Sequence, residues 1–145
     1  MGTAVLLANL VATWMMVGVI WFVQVVHYPL LSLVPVSDAP EVALEHQRRT
    51  SYVVAVPMMV EGLSTLALLA MAPDAVWWWL PWCGGVLLAI ALGCTVFLSV
   101  PLHSQMAHSP NAATGRRLVS TNWSRTIAWS LRGAVCLWML AQVVA

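Results

Sequence analysis

The sequence carries very little charge. Only 8% of its 145 residues are charged, against about a quarter in a typical soluble domain. Lysine is absent, so all six basic residues are arginines, and hydrophobic residues make up 61% of the chain. This composition excludes a water-soluble fold. The formal net charge of +1 also gives no basic surface for nucleic acid, so we expect no nucleic-acid partner.

Cysteine and glycine patterns exclude several further classes of site. The three cysteines lie singly in apolar stretches, which provides neither a disulfide framework nor a paired zinc motif. The chain contains no phosphate-binding glycine loop and no nucleophile elbow. Phosphoryl transfer and serine-type hydrolysis are therefore not indicated.

Four long apolar segments predict an all-α membrane protein. A helix that crosses the bilayer needs roughly 20 mostly apolar residues, and a helix satisfies its own backbone polar groups in hydrocarbon. We predict helices at about 4–26, 39–72, 76–100 and 110–144 in a single domain, 1–145. Asp38 and Ser109 are the expected N-caps of the second and fourth helices, with Pro110 at the first position of the fourth.

The arginines predict how the chain is oriented. Five of them fall in or beside the two long connections, whereas the 72–76 turn has none: Arg48, Arg49, Arg116, Arg117 and Arg125. Because arginine-rich connections stay in the cytoplasm, both termini are expected outside. The protein is then a multi-pass protein of a bacterial inner (plasma) membrane. The tryptophans at 77–79 and 82 would form an interfacial belt at the outer side.

Polar residues repeat between the halves 1–73 and 74–145. At an offset of 76 positions, the matched pairs are His27 with His103, His46 with Asn122, Arg49 with Arg125, and Thr50 with Thr126. Both halves run outside to inside and back, which predicts two helical hairpins in a parallel repeat about an axis along the membrane normal. The hairpins would form a four-helix bundle. They would bring three imidazoles and one amide to one depth, at the cytoplasmic interface.

These side chains predict a metal or haem site. Neutral imidazole is the commonest protein metal ligand. His27 and His103 are candidate axial ligands of a b-type haem; alternatively His27, His46 and His103, with Glu45 or Glu61, would hold iron, copper or zinc. Asn122 would be a weak ligand or a hydrogen-bond donor. The alternative is that each histidine bonds separately to backbone or lipid headgroups.

Charged residues suggest further roles. Glu61 and Arg132 both lie inside apolar spans, where ionised groups are costly unless they are paired. They are expected either to form a structural ion pair between the second and fourth helices or to act in function, Glu61 as a catalytic base and Arg132 in substrate binding. Arg49 and Arg125 are expected to clamp an anionic headgroup or a substrate carboxylate, unless they only set the topology.

Four short motifs accompany these residues: HYPL at 27–30, VPMM at 56–59 with Glu61 after it, VPLH at 100–103, and NWSRT at 122–126. Together they resemble a group of small bacterial four-helix membrane proteins over nearly the whole chain. Size and layout also resemble the anthrone-oxygenase-like membrane proteins, by architecture alone. That second resemblance implies oxidation of a lipophilic substrate, and no functional residue is carried over from it.

Two functions follow as expectations. The first is redox chemistry on a lipophilic small molecule at the metal or haem site. The second is non-enzymatic: an accessory subunit of a membrane complex, or a small or oligomeric carrier or proton-coupled transporter with Glu61 and Arg132 along its path. The lipid bilayer is the surrounding partner in both, and the sequence leaves a homo-oligomer open.

Overall fold

Four long helices make up the computed structural model, which describes residues 2–31, 33–35, 37–109 and 111–145. They are α1 (Gly2–Leu31), α2 (Ala39–Met71), α3 (Trp79–His108) and α4 (Ala112–Val144). Each is long and apolar enough to cross a membrane, with 30 or 33 residues. At 1.5 Å per residue they measure about 45–50 Å, which exceeds a hydrocarbon core of about 30 Å. The predicted all-helical, four-helix membrane fold is confirmed.

The helices α1 and α3 continue beyond their predicted ends near 26 and 100. In each, a π-helical segment, Val23–His27 or Thr95–Ser99, ends two residues before a proline, Pro29 or Pro101. A proline lacks the backbone N–H and clashes with the carbonyl four residues earlier, and a wider π turn relieves such a clash. The helix therefore passes the proline and carries His27 and His103 inside it rather than at its end.

The start of α4 differs from the prediction. Its N-cap is Asn111, whose side chain accepts a hydrogen bond from the N–H of Thr114 at 2.8 Å. The expected Ser109 cap is therefore wrong, and Pro110 lies outside the described residues. Asp38 does precede α2, but its carboxylate accepts from the Ser37 hydroxyl and makes no side-chain cap bond to the helix.

The helices form an antiparallel bundle in which α1 packs against α2 and α4, and α3 packs against the same two helices. At one end, here called the tryptophan end, the 72–78 connection meets both termini: Gly2 packs against Pro73, and the side chain of Gln142 accepts from the N–H of Trp77 at 3.0 Å. The opposite end, which carries the other two connections, is here called the arginine end.

Apolar side chains also cover the outside of the bundle. Phe97 is 78% exposed, and Leu63 and Leu66 on α2 are likewise exposed to the surroundings. A soluble protein would bury such residues, whereas lipid tails solvate them. The outer surface is therefore suited to contact with a bilayer.

Candidate functional site

Glu61 and Arg132 meet in the interior of the bundle. Their side chains are 0% and 1% exposed, and Nε of Arg132 donates to Oε1 of Glu61 at 2.7 Å. The predicted ion pair between α2 and α4 is thus confirmed. The same carboxylate accepts from the Thr13 hydroxyl at 2.9 Å and from the indole N–H of Trp129 at 3.2 Å. Both of its oxygens are therefore engaged.

The guanidinium of Arg132 is engaged to the same degree. Nη2 donates to Oγ1 of Thr65 at 2.6 Å and to Oδ1 of Asn9 at 3.3 Å, and Nη1 donates to the backbone carbonyl of Gly84. The network thus includes residues of all four helices. Because each charge is compensated by short contacts inside the protein, this geometry favours a structural tie over catalysis or substrate binding by Glu61 and Arg132.

Nearer the arginine end, the structure brings three imidazoles together. The ring of His46 stacks on that of His27, with centroids 4.3 Å apart and planes 23° apart. It also contacts His103, with centroids 5.0 Å apart. His27, His46 and His103 are called the imidazole cluster below. The fourth histidine, His108, is exposed and bonds to a backbone carbonyl in its own helix.

Two hydroxyls hold the cluster. The hydroxyl of Thr50 lies 3.2 Å from Nδ1 of His46, and that of Tyr28 lies 3.1 Å from Nε2 of His103. Within the described part of the chain, Nε2 of His27 and Nδ1 of His103 are buried and have no hydrogen-bond partner. A buried polar atom without a partner is uncommon, so these nitrogens are places where a ligand would be stabilising.

Asn122 lies beside the cluster and is fully buried. Its amide nitrogen donates to the side-chain oxygen of Gln24 at 2.7 Å, and its oxygen accepts from Nη1 of Arg125 at 3.2 Å. The amide is therefore occupied in positioning Arg125 against α1.

The two arginines matched by the sequence repeat lie in different environments. The side chain of Arg49 is 76% exposed and, like Arg48, pairs with Glu45 on the surface of α2. Arg125 is partly buried; its Nη1 also donates to the Ser99 hydroxyl at 3.0 Å. Arg125 thus lies inside the bundle beside the cluster, whereas Arg49 pairs with Glu45 at the surface and lines, with His27 and His46, a second cavity of about 440 Å³.

A cavity of about 230 Å³ adjoins the imidazole cluster. Its polar end is formed by Tyr28, His46, His103 and Arg125, and its apolar end by Met16, Ile20, Val54 and Met58. Its wall also includes Ser51 on α2 and Val100 on α3, which are both exposed. The cavity therefore opens sideways between α2 and α3, toward the space that lipid would fill.

Sequence reasoning missed Gln24, Tyr28 and Ser99 as members of the site. A signal for them exists: Gln24 lies three residues before His27, and Ser99 four residues before His103, spacings that place polar side chains on one helix face. Tyr28 has no such signal, since it directly follows His27 and its hydroxyl reaches His103 across the bundle.

The imidazole cluster is packed ring against ring. Among the described residues, no three or more histidine, cysteine, aspartate or glutamate side chains are grouped so as to hold a metal ion. Of the predicted haem ligands, His27 stacks on the ring of His46 and His103 contacts the same ring. A porphyrin between them would have to displace that ring.

No family model, curated protein or solved structure matches this chain.

Proposed function

We propose that this protein binds a lipophilic small molecule in the cavity beside the imidazole cluster. The observation that carries the proposal is the composition of the cavity wall, which changes from aliphatic and thioether side chains to imidazole, phenol and guanidinium groups. Ligand pockets are typically apolar with a few converging polar groups. The apolar body of the ligand would lie against Met16 and Met58, and its polar end would meet His46 and His103.

The imidazoles give this site chemistry as well as affinity. Imidazole exchanges protons near neutral pH and is the most frequent general acid or base in enzymes. Tyr28 and Thr50 fix the orientation of two of the rings. Proton transfer to or from the polar end of the bound molecule, made by His46 and His103, is the chemistry we assign; its oxidation or reduction would in addition require an electron donor or acceptor, such as a metal ion on the imidazole cluster or a soluble redox partner. The sideways opening lets a substrate enter from the bilayer without crossing water.

Filling the cavity tests this proposal. Val54 lines the apolar end and is partly buried, so Val54→Phe should occupy the space that the ligand needs. Val86 is 58% exposed on α3 and provides the matched control, Val86→Phe. We expect a small amphiphile to co-purify in mild detergent with the wild type and with Val86→Phe, and to be lost from Val54→Phe. Mass spectrometry of the extracted protein measures this.

Two results would contradict the proposal. One is the absence of any small amphiphile in the wild-type preparation. The other is an equal amount of the amphiphile in both valine variants, because it would then be bound on the outer surface rather than in the cavity.

A transition metal on the imidazole cluster is a second candidate, favoured by the two unpaired buried nitrogens of His27 and His103. The Thr50 hydroxyl at Nδ1 of His46 and the Tyr28 hydroxyl at Nε2 of His103 leave the other nitrogen of each ring for a metal. Such hydroxyls resemble the outer contacts that orient metal-bound imidazoles. Bound iron or copper would supply electron transfer to the substrate; zinc would polarise it. The stacked rings of His27 and His46 place this candidate second, and a b-type haem behind it.

Elemental analysis of the same preparations measures the second candidate. If a metal is bound to the cluster, we expect stoichiometric metal in the wild type and in His108→Ala, and loss of the metal in His27→Ala. Metal-free wild-type protein, or metal that is unaffected by His27→Ala, would remove it.

We also propose that the bundle consists of two repeated hairpins. Supporting this, α1 and α3 have 30 residues each, α2 and α4 have 33 each, and a π segment precedes a proline in both α1 and α3. The π segments correspond at an offset of 72 positions, whereas the polar residues correspond at 76. The offset that relates the π segments is therefore four residues, about one helical turn, shorter than the offset that relates the polar residues.

The orientation follows from the arginines. We propose that the arginine end faces the cytoplasm of a bacterium and that both termini lie outside its inner membrane. An accessory or transport role would place Glu61 and Arg132 along a path. Their complete engagement inside the bundle supports the small-molecule site in preference to that role.

A further inference from the structure

Arg125 lies in the site with the Tyr28 phenol as a hydrogen-bonding neighbour, and no carboxylate of the described residues pairs with it. Its Nη1 donates to two neutral acceptors, Ser99 and Asn122. Its guanidinium carbon lies 5.5 Å from the ring centroid of Trp129. The three salt bridges of the described residues join Glu45 to Arg48 and Arg49, and Glu61 to Arg132; none includes Arg125.

The contrast with Arg132 is informative because both arginines lie on α4. Arg132 is compensated by a carboxylate within the bundle. A charge that is removed from water without a counter-ion is destabilising, and inside a membrane such a group marks a functional site by default. Arg125 is therefore stabilised most by an anion that comes from outside the chain.

The guanidinium is also held ready for such an anion. Ser99 and Asn122 both bind Nη1, and Gln24 in turn binds Asn122. The Nε atom, which belongs to the opposite edge of the guanidinium, is buried and without a partner among the described residues. Arginine binds carboxylate or phosphate through that edge with two parallel hydrogen bonds.

We infer that the molecule bound in this cavity is a single-chain amphiphile with an anionic oxygen head, held by Arg125 beside His103 and Tyr28. This inference rests on the proposed function and names its ligand class. A cavity of about 230 Å³ is smaller than the 300–1,000 Å³ usual for drug-sized ligands. It therefore admits the head and part of one chain, while the rest of the chain extends between α2 and α3 into lipid.

Three ten-carbon probes that differ only in their head test the inference: decanoate, decanol and decyltrimethylammonium. Each is titrated into the protein in phosphatidylcholine nanodiscs at a pH where decanoate is ionised, and binding is followed by the ¹⁵N imidazole signals of His46 and His103. We expect decanoate to bind most tightly and the cation least. Arg125→Met should weaken decanoate by about 10- to 100-fold, the value of a charge-assisted hydrogen bond, and should leave decanol unchanged.

Two variants control for structural damage. Arg125→Lys keeps the charge and should retain part of the preference for decanoate over decanol. Arg49→Met removes the arginine that lines the second cavity and not the one beside Arg125, and it should bind decanoate as the wild type does. Replacing part of the phosphatidylcholine by phosphatidylglycerol distinguishes the source of the anion: competition with decanoate would identify the headgroup of a two-chain lipid and overturn the single-chain ligand, whereas no competition supports a free single-chain amphiphile.

The outcomes separate this inference from the proposed function. Equal affinity for decanoate and decanol, both abolished by Val54→Phe, would keep the cavity site and overturn the anionic head. An equal loss of decanoate binding in Arg49→Met and Arg125→Met would also overturn it. Probes that bind without any effect of Val54→Phe, or that do not bind at all, would overturn both.

Discussion

Arg132→Met is expected to lower the free energy of unfolding by about 3–5 kcal/mol, the usual cost when one member of a buried ion pair is removed. The variant leaves the carboxylate of Glu61 fully buried, with only the Thr13 hydroxyl and the Trp129 indole as partners. It also removes the hydrogen bonds from Arg132 to Oγ1 of Thr65, which keeps the Asn9 amide as a donor, and to the backbone carbonyl of Gly84. Reversible unfolding in mixed detergent micelles measures the change.

Two comparisons make this result specific. The double variant Glu61→Gln/Arg132→Met should recover part of the loss because it buries no unpaired charge. Arg116→Met, at an exposed position of α4, should change stability by less than about 0.5 kcal/mol. If Arg132→Met is as stable as Arg116→Met, the ion pair does not tie the bundle together.

Trp129→Ala is expected to be the most destabilising apolar substitution in the bundle. Trp129 is fully buried in a core cluster with Met16, Ile20 and Ala91, and its indole N–H donates to Glu61. Truncation of a buried tryptophan costs roughly 3–5 kcal/mol, much of it from the cavity that remains. We expect a value inside this range: lipid solvates apolar groups well, which reduces the cost of lost packing, but the variant also removes the N–H donor to the buried Glu61 carboxylate.

The contributions of the Trp129 ring volume and of its N–H donor to stability can be measured separately. Trp129→Phe keeps most of the ring volume and removes the donor, so it should cost about 1–3 kcal/mol. Trp78→Ala is the matched control, since Trp78 is 79% exposed at the tryptophan end. A Trp129→Ala variant no less stable than Trp78→Ala would contradict the packing described here.

Hydropathy predicts the number of helices but not all of their ends. The apolar runs stop near 26 and 100, and the helices α1 and α3 continue to Leu31 and His108. A helix needs its backbone hydrogen bonds and not apolar side chains, so a polar sequence can extend it into the interface. The cap of α4 was misplaced for a similar reason: Ser109 and Asn111 are both good caps, and only the path of the chain decides between them.

The candidate site could be predicted in part. In a chain with few polar residues, the repeated histidines indicate one cluster, and Glu61 and Arg132 are the natural partners inside the apolar spans. The sequence does not indicate that Arg49 faces outward and Arg125 inward. That difference depends on the rotation of α2 and α4 about their axes, which the spacing of polar residues in the sequence does not determine.

The contact of the three imidazoles is directly measurable because the chain has only four histidines. Solid-state NMR of protein labelled with ¹³C,¹⁵N-histidine in lipid bilayers should show ring-to-ring cross-peaks between His27 and His46 and between His46 and His103. His108 should show none and serves as the internal control. Two results would contradict this arrangement. One is the absence of ring-to-ring cross-peaks for all four histidines; the other is a cross-peak between His108 and His103 with none between His46 and His103.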